Sequence, residues 1–161
     1  MPNNTDRYLV SWDQLHRDCR TLTKELLTLE TQWDGIIAIT RGGMIPATII
    51  ARELGIRLID SISVRTYSHK QISEPVILSD VTATQDGENF LLIDDLVDTG
   101  KTAKFVRERL PKAYFATVYA KPEGKPLVDT HVTEVSQDTW IYFPWDLDLS
   151  YAKPISKDAD E

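Results

Sequence analysis

The amino-acid sequence predicts an α/β protein in which a central, mostly parallel sheet is flanked by helices. Short apolar runs alternate along the chain with stretches of helical periodicity, and turn residues separate them. Strand–helix–strand repeats of this kind need crossover connections, which place the strands parallel to one another. The chain has 161 residues, 42% of them hydrophobic, which is enough for one domain with a single core.

Each element rests on its own local signal. Apolar residues recur every three or four positions from Leu15 to Leu29, and Ser11 or Asp13 can cap the helix that this spacing predicts. The apolar runs that begin at Gly35 and Phe90 predict strands, and Gly55 closes a second helix. The predicted elements are a helix over 12–29, a strand over 35–39, a helix over 46–54, a strand over 57–64, a strand over 90–93, a helix over 102–110 and a strand over 114–119.

A long stretch between two of these strands, 66–88, is polar and rich in turn residues. It holds Pro75 and Gly87, and its apolar run is limited to Val76-Ile77-Leu78. Segments of this length inside a compact domain are usually functional or mobile, so we expect a flexible lid over about 66–88. The domain itself is expected to span 1–156, and 157–161 to form an acidic tail.

Charge and cysteine content exclude several classes of protein. The formal net charge is −7, so a protein that binds nucleic acid through a basic face is not expected. Cys19 is the single cysteine, which rules out an internal disulfide and a cysteine-rich zinc site and fits a reducing cytoplasm. No apolar run approaches the roughly 18–20 residues of a membrane span and no secretory leader is recognisable, so we expect a cytoplasmic protein.

The run from Phe90 to Thr102 is the most informative feature of the chain. Four apolar residues are followed by Asp94 and Asp95, by a third acid, Asp98, and by the loop Thr99-Gly100-Lys101-Thr102, which leads into a helix. Carboxylates at the end of a strand can accept hydrogen bonds from ribose hydroxyls or hold a hydrated Mg²⁺. Small residues and free N–H groups at a helix N-terminus suit a phosphate monoester. The run therefore predicts a site for phosphoribose.

Two other loop motifs fail on this run. A Walker A loop, G-x-x-x-x-G-K-[ST], would require Gly where the chain has Asp95. An EF-hand loop would require Asp or Asn at Leu96. A solvated acidic turn is the remaining structural alternative, although three carboxylates within five positions repel one another unless a cation or a donor is present.

A second anion site is predicted where the first central strand ends. Thr40-Arg41-Gly42-Gly43 combines a sharp turn with the start of a helix, and its glycines let the backbone approach a ligand closely. Arg41 adds a fixed positive charge that suits phosphate oxygens. Alone, this turn could be an ordinary strand–helix connection, but beside the Phe90 run it predicts a pyrophosphate loop.

The C-terminal section predicts a site for a nucleobase. Lys121 follows the strand over 114–119, so its ammonium is expected at the ligand edge of the sheet, where it can donate to the carbonyl of a 6-oxopurine. Trp140 offers a plane on which a base can stack. Core packing is the expected role of the neighbouring aromatic residues Tyr142, Phe143 and Trp145.

These stretches resemble the type I phosphoribosyltransferases and, more closely, the bacterial xanthine-guanine phosphoribosyltransferases. The hydrophobic strand, the acid pair and the Thr/Gly-rich loop form the phosphoribosyl-pyrophosphate motif that the type I enzymes share. More selective marks are Gln32-Trp33-x-Gly35, the ARELGIR stretch at 51–57, Pro111-Lys112-Ala113, Pro126-Leu127-Val128-Asp129 and Gln137-Asp138-Thr139-Trp140-Ile141. The resemblance implies a type I phosphoribosyltransferase fold with a small C-terminal hood, at about 121–155, over the purine site.

The resemblance also implies an activity and partners. The activity is Mg²⁺-dependent transfer of phosphoribose from phosphoribosyl pyrophosphate to N9 of guanine, xanthine and, less well, hypoxanthine, in purine salvage. A hypoxanthine-guanine enzyme without useful xanthine activity and a non-catalytic nucleotide-sensing regulator of the same fold are the alternatives. The family further suggests a homotetramer and a loose association with the inner membrane, although no segment of this chain explains membrane binding.

Site roles follow from the resemblance by position. Phosphoribosyl pyrophosphate is expected to contact Arg41, Gly42, Asp94, Asp95, Leu96, Val97, Asp98, Thr99, Gly100, Lys101 and Thr102, with a cis peptide between Arg41 and Gly42. Within this set Asp95 corresponds to the Mg²⁺-contacting acid, and Asp94 is directed toward the ribose hydroxyls.

On the purine side, Asp98 corresponds to the general acid or base near N7. Lys121 corresponds to the contact with O6, Trp140 to the stacking residue, and Ile141 to the residue whose backbone carbonyl recognises the 2-position.

Two positions depart from the family pattern. Relatives carry a Lys-Arg pair in the lid, and its Arg contacts phosphate, whereas the aligned residues here are Ser79-Asp80. Arg65 or Lys70 are candidates to replace that contact. Lys101 stands where a small residue is usual, and it either adds charge to the phosphate loop or points to solvent.

Overall fold

The computed structural model describes residues 6–66, 74–147 and 153–156. The helices are α1 (Trp12–Leu27), α2 (Met44–Leu54) and α3 (Lys101–Arg109). The strands are β1 (Arg7–Leu9), β2 (Gly35–Thr40), β3 (Ile59–Thr66), β4 (Pro75–Ser79), β5 (Phe90–Val97), β6 (Tyr114–Ala120), β7 (Thr130–Glu134) and β8 (Trp140–Tyr142). Single turns of 3₁₀-helix lie at Lys125–Leu127 and Pro144–Asp146.

Six of the strands form a central sheet in the order β4-β3-β2-β5-β6-β7. Every neighbouring pair runs parallel except β3 and β4, which are antiparallel. The predicted α/β class with a mostly parallel sheet is therefore confirmed. Because β2, β5 and β6 lie side by side, their carboxyl ends meet at one edge of the sheet, where open α/β sheets bind ligands.

The helices cover both faces of this sheet. Leu91 and Ile93 of β5 pack on one face in a cluster that includes residues of α1 and α2. Phe90 and Leu92 pack on the other face with residues of α3. Successive side chains of a strand point to opposite faces, so a strand covered on both sides must be apolar at every position. This is why the continuous apolar run before Asp94 forms a central strand.

The C-terminal hood rests on a pairing of distant segments. Near the N-terminus, β1 pairs in parallel with β8, and Tyr8 lies opposite Ile141. Neither strand was predicted, nor was β7, because three to five residues give too little periodicity to recognise. The pairing fixes the aromatic stretch of β8 beside the ligand edge of the central sheet.

Residues 75–88, the described part of the predicted lid, are held against the sheet and α3. Residues 75–79 form β4 against β3, and Val81 is buried. The Asp60 carboxylate accepts hydrogen bonds from the backbone N–H groups of residues 82 and 83, and Arg109 donates to the Asp80 carboxylate and to the carbonyl of Gln85. These contacts anchor residues 75–88, and a lid over about 66–88 stays a prediction. Lys70 lies outside the described residues.

Cys19 is a packing residue. Its side chain is fully buried in the cluster beneath α1 and α2. Burial, together with the charge of Asp18, raises the pKa of its thiol to about 12. A thiol of this kind stays protonated at neutral pH and is a poor nucleophile.

Within the described ranges, the longest helices are too short or too polar to cross a bilayer.

Candidate functional site

The two acids near the end of β5 face different spaces. Asp94 lines a small hollow with residues 96–103, whereas Asp95 lines a larger cleft with Arg41. The division follows from the strand itself, because β5 continues through both acids to Val97 and its successive side chains alternate in direction. The sequence prediction ended this strand at residue 93. The extended backbone beyond that point directs the two side chains to different spaces, although Oδ1 of Asp94 still accepts a hydrogen bond from the N–H of Asp95 at 2.9 Å.

Burial governs the charge of these acids. It raises the pKa of Asp94 well above its usual value, and the neighbouring Asp95 adds to the rise. Burial also raises the pKa of Asp95, and the charge of Asp146 contributes in the same direction. No Lys or Arg forms an ion pair with Asp94 or Asp95 in the part of the chain that the structure describes. Carboxylates placed in this way favour the approach of a cation.

The oxygen donors suit a Mg²⁺ that arrives with a phosphorylated substrate. Across residues 6–66, 74–147 and 153–156, no group of three or more His, Cys, Asp or Glu side chains could enclose a metal ion. Mg²⁺ commonly takes one or two carboxylates and fills its remaining positions with water and substrate phosphate oxygens. Asp95 and Asp146, which line the same cleft, provide that number of carboxylates.

The loop after β5 forms the small hollow. It has a volume of about 120 Å³ and is lined by Asp94, Leu96, Val97, Asp98, Thr99, Gly100, Lys101, Thr102, Ala103 and Phe115. Gly100 adopts a φ of 89°, which an L side chain rarely tolerates, and its carbonyl accepts a bond of 2.8 Å from the N–H of Lys104. The N–H groups that precede Lys104 have no partner within α3 and lie at its positive end, so they are suited to a phosphate.

The turn after β2 lies against Asp95. Its non-proline cis peptide joins Thr40 and Arg41, one residue earlier than the predicted position between Arg41 and Gly42. The chain reverses at this point because the N–H of Gly43 already donates to the carbonyl of Ile39, at 2.8 Å, to begin α2. A Cβ atom on Gly42 would lie 2.2 Å from a carboxylate oxygen of Asp95. The absence of a side chain at position 42 is therefore what allows the loop and the acid to meet.

A cleft of about 1130 Å³ opens between this turn and the hood. It is lined by Arg41, Gly42, Ile45, Asp95, Trp140, Ile141, Tyr142, Phe143, Trp145, Asp146, Lys153, Pro154 and Ile155. Arg41, Gly42 and Asp95, which are predicted to bind pyrophosphate, thus share one space with Trp140 and Ile141, which are predicted to bind the base. Asp94 and residues 96–102 line the separate hollow, and Lys121 lines neither space. Phe143 is buried and Trp145 packs against the same core cluster, as expected, although Tyr142 and Trp145 also line the cleft.

Asp98 and Lys121 meet beside the hollow. The Lys121 ammonium is buried and donates to Oδ2 of Asp98 at 3.2 Å, and Nε2 of Gln137 donates to Oδ1 at 2.9 Å. The backbone N–H of Lys121 donates to the carbonyl of Val97, which fixes the end of β6 to the end of β5. A lysine donor and a carboxylate acceptor side by side can match O6 and N7 of a purine.

Trp140 and Ile141 line the cleft on the side of the hood. The Trp140 side chain is 60% exposed and lines the cleft, so its ring is available for stacking. The N–H of Trp140 donates to the carbonyl of Asp6 and the N–H of Val10 to that of Tyr142, both at 2.9 Å. Because a parallel ladder uses alternate residues, the peptide groups of Ile141 point away from β1. The Ile141 carbonyl therefore makes no hydrogen bond to β1, and the pairing with β1 does not prevent it from accepting one from a ligand.

Three polar residues of the site were not predicted: Gln137, Asp146 and Lys153. Gln137 reaches Asp98 across 39 positions of sequence, so no local pattern could reveal the contact. Asp146 caps its own turn by accepting from the N–H of Phe143 at 3.0 Å, a pattern that could have been recognised after the aromatic stretch. Lys153 stands in a section with no periodic signal.

Comparison with known proteins agrees with this geometry. The family model described as "Phosphoribosyl transferase domain" matches residues 11–152. The xanthine-guanine phosphoribosyltransferase of Idiomarina loihiensis is 54% identical over 150 residues, covering 92% of each chain. That of Chromohalobacter salexigens is 53% identical over 149 residues, covering 92% of this chain and 90% of its own. A purine phosphoribosyltransferase structure from Pyrococcus horikoshii matches with a TM-score of 0.77 at 28% identity, covering 95% of this chain and 99% of the other.

The domain match covers most of the chain, and the two curated relatives are more than half identical to it. The chain belongs to the phosphoribosyl transferase family and has its type I fold.

Proposed function

We propose that the protein transfers phosphoribose from phosphoribosyl pyrophosphate to N9 of guanine, xanthine and, less well, hypoxanthine, giving GMP, XMP, IMP and pyrophosphate in purine salvage. The observation that carries the proposal is the buried Lys121 ammonium on Asp98, directly beside the hollow of the phosphate loop. A 6-oxopurine nucleotide presents O6 and N7 at one end and a phosphate at the other. The two adjoining parts of the site match these two ends, and the names of the two curated relatives support guanine and xanthine as substrates.

The reaction develops charge on both substrates, and residues of the site stabilise that charge. Breaking the C1–O bond leaves positive charge on the ribose and negative charge on pyrophosphate, while N9 forms the new bond to C1. The purine then gives up the proton at N7, and Asp98 accepts it once Lys121 donates to O6 instead. Stacking on Trp140 holds the purine in line with C1, which is an orientation effect.

Positive charge for the pyrophosphate comes from Arg41 and Lys153. Both line the cleft together with Asp95, and no Lys-Arg pair occupies positions 79 and 80. In the family pattern, the Arg of a Lys-Arg pair in the lid contacts phosphate. We assign that contact here to Lys153, in place of Arg65 or Lys70. Mg²⁺, when bound, would be held by Asp95 with oxygens of the substrate, and it supplies electrostatic stabilisation to the leaving group.

Two alternatives lead to different results. A hypoxanthine-guanine enzyme would have the same O6 contact but would not use xanthine. A nucleotide-sensing regulator would bind GMP without turnover. The acid beside a lysine donor, together with two cations in the pyrophosphate cleft, favours catalysis over sensing.

The test supplies phosphoribosyl pyrophosphate and Mg²⁺ with guanine, xanthine, hypoxanthine or adenine and separates the products by chromatography. We expect GMP, XMP and a smaller amount of IMP, without AMP, since adenine lacks the 6-oxo acceptor. If guanine and hypoxanthine give products and xanthine does not, the result supports the hypoxanthine-guanine alternative. GMP binding without any product supports the regulator.

A variant tests the role of Asp98. Asp98→Asn removes the proton acceptor but keeps the shape of the loop, so kcat should fall about 10²–10⁴-fold while GMP binding is largely retained. A near-normal kcat would remove Asp98 from proton transfer.

We also propose that the protein is a cytoplasmic homotetramer. The exposed apolar side chains of Met44, Leu58 and Ile59 support self-association, and the lone reduced cysteine supports a reducing compartment. Sedimentation of the purified protein measures its mass directly, and a monomer would contradict this proposal.

A further inference from the structure

Gln137 stands between three parts of the site. Its Nε2 donates to Oδ1 of Asp98 at 2.9 Å, while its Oε1 accepts from the backbone N–H of Glu123 at 3.0 Å. The carboxylate of Asp98 can only accept and the N–H of Glu123 can only donate, so the two ends of the Gln137 amide cannot be exchanged. One side chain therefore ties the end of β5, the turn after β6 and the turn before β8 together.

The turn that carries Gln137 is itself held in place. The N–H of Val135 donates to the carbonyl of Ala120 at 3.0 Å, and the N–H of Thr139 donates to the carbonyl of Ser136 at 3.1 Å. Val135 and Thr139, on either side of Gln137, are both buried. A side chain on such a turn is well suited to hold its partner in one orientation.

We infer that Gln137 is a positioning residue that orients the Asp98 carboxylate toward the purine, an inference that rests on the proposed function. The Asp98 side chain is 51% exposed, and its carboxylate is held through both oxygens. When a purine takes Lys121 as its O6 donor, Oδ2 of Asp98 loses its partner and is left for N7. The bond from Gln137 to Oδ1 then keeps the carboxylate from rotating. A general base whose direction is set by a third group is a recurrent feature of active sites.

The substitutions Gln137→Met and Gln137→Glu separate this role from a purely structural one. Met removes both hydrogen bonds. Glu keeps an acceptor for the N–H of Glu123 but places a second carboxylate against Asp98. If Gln137 only secures the turn, Gln137→Glu should be the milder change. If it orients Asp98, Gln137→Glu should be as harmful as Gln137→Met or worse, because like charges repel.

The experiment measures kcat and KM for guanine and for phosphoribosyl pyrophosphate in each variant, with Gln32→Met, at an exposed position, as the control. We expect kcat to fall about 10- to 100-fold in both Gln137 variants, the size of a lost hydrogen bond to a charged group, with the KM for phosphoribosyl pyrophosphate within about twofold. In the Asp98→Asn background, Gln137→Met should cause little further loss of kcat, since the group it orients is gone.

A normal kcat in Gln137→Met, a milder effect in Gln137→Glu, or an equal loss in the Asp98→Asn background would each overturn the inference. Wild-type protein in the same assay keeps the two hypotheses apart. If the wild-type protein makes GMP, any of these three results refutes the role of Gln137 and leaves the proposed function standing. If it makes no nucleotide, the proposed function fails first.

Discussion

Gly42→Ala should impair the site while leaving the fold intact. A Cβ atom at this position would lie 2.2 Å from one carboxylate oxygen of Asp95 and 2.6 Å from its Cγ, where ordinary contact begins near 3.4 Å. The clash is with the end of a side chain, so the carboxylate yields and moves by about 1 Å, a displacement that can cost about 10²-fold in rate. We therefore expect kcat/KM for guanine to fall about 100-fold and the melting temperature to change little.

Gly43→Ala is the matched control, because the neighbours of its Cβ would be backbone. That atom would lie 2.4 Å from the carbonyl oxygen of Ile93 and 2.7 Å from that of Ile39, which belong to β5 and β2. Overpacking of this kind costs about 1–3 kcal/mol, or about 2–12 °C in melting temperature for a chain of this size. Thermal unfolding and initial rates are measured on both variants. Full activity in Gly42→Ala, or a loss of stability equal to that in Gly43→Ala, would refute the reasoning.

Three further changes test the charges of the site. Lys121→Met should lower kcat/KM for guanine about 30- to 700-fold, a loss on the order of 2–4 kcal/mol of transition-state binding, because O6 loses a charged donor. Lys125→Met, which breaks only an exposed ion pair, is the control. Unchanged rates in Lys121→Met would exclude the O6 contact. Lys153→Met should raise the KM for phosphoribosyl pyrophosphate more than the KM for guanine. Lys104→Met, at an exposed position, is the control and should alter neither KM. Equal KM values in wild type and Lys153→Met would indicate that a lid residue, and not Lys153, contacts the pyrophosphate. Burial raises the pKa of Asp94 in the folded chain, so the folded state binds the proton of this carboxyl more tightly than the unfolded state does. The resulting contribution to the free energy of unfolding is present at low pH and is lost as pH rises through the pKa of the folded state. Asp94→Asn should therefore melt above wild type at about pH 8, with a smaller difference at about pH 5 in the absence of Mg²⁺, and a difference that is the same at both pH values would contradict this account.

The central strand before Asp94 and its parallel sheet could be predicted because their signals are local. The apolar run before Asp94 indicates a strand covered on both faces, and the acids and the Thr-Gly loop follow it without interruption. Their position at the carboxyl end of a central strand is then required by the parallel topology. The exact end of β5 was missed, because two consecutive polar residues hide the alternation that a strand normally shows.

What the sequence did not reveal depends on contacts between distant segments. β1 is recognisable only through its pairing with β8, and the anchoring of 80–88 depends on Asp60 and Arg109. Gln137 carries no motif of its own, and its role follows from meeting Asp98 in space. The position of the cis peptide, between Thr40 and Arg41, is likewise not specified by the composition of the turn.

A crystal structure with GMP and Mg²⁺ tests the central claim most directly, because it locates both ends of the nucleotide at once. The account predicts that 5′-phosphate oxygens lie about 2.7–3.2 Å from backbone N–H groups of residues 99–102, and that Nζ of Lys121 lies at a similar distance from O6. The Lys121–Asp98 contact of 3.2 Å should then be broken, while the bond from Gln137 to Asp98 persists. A phosphate bound elsewhere, with Lys121 still on Asp98, would contradict the assignment of the site.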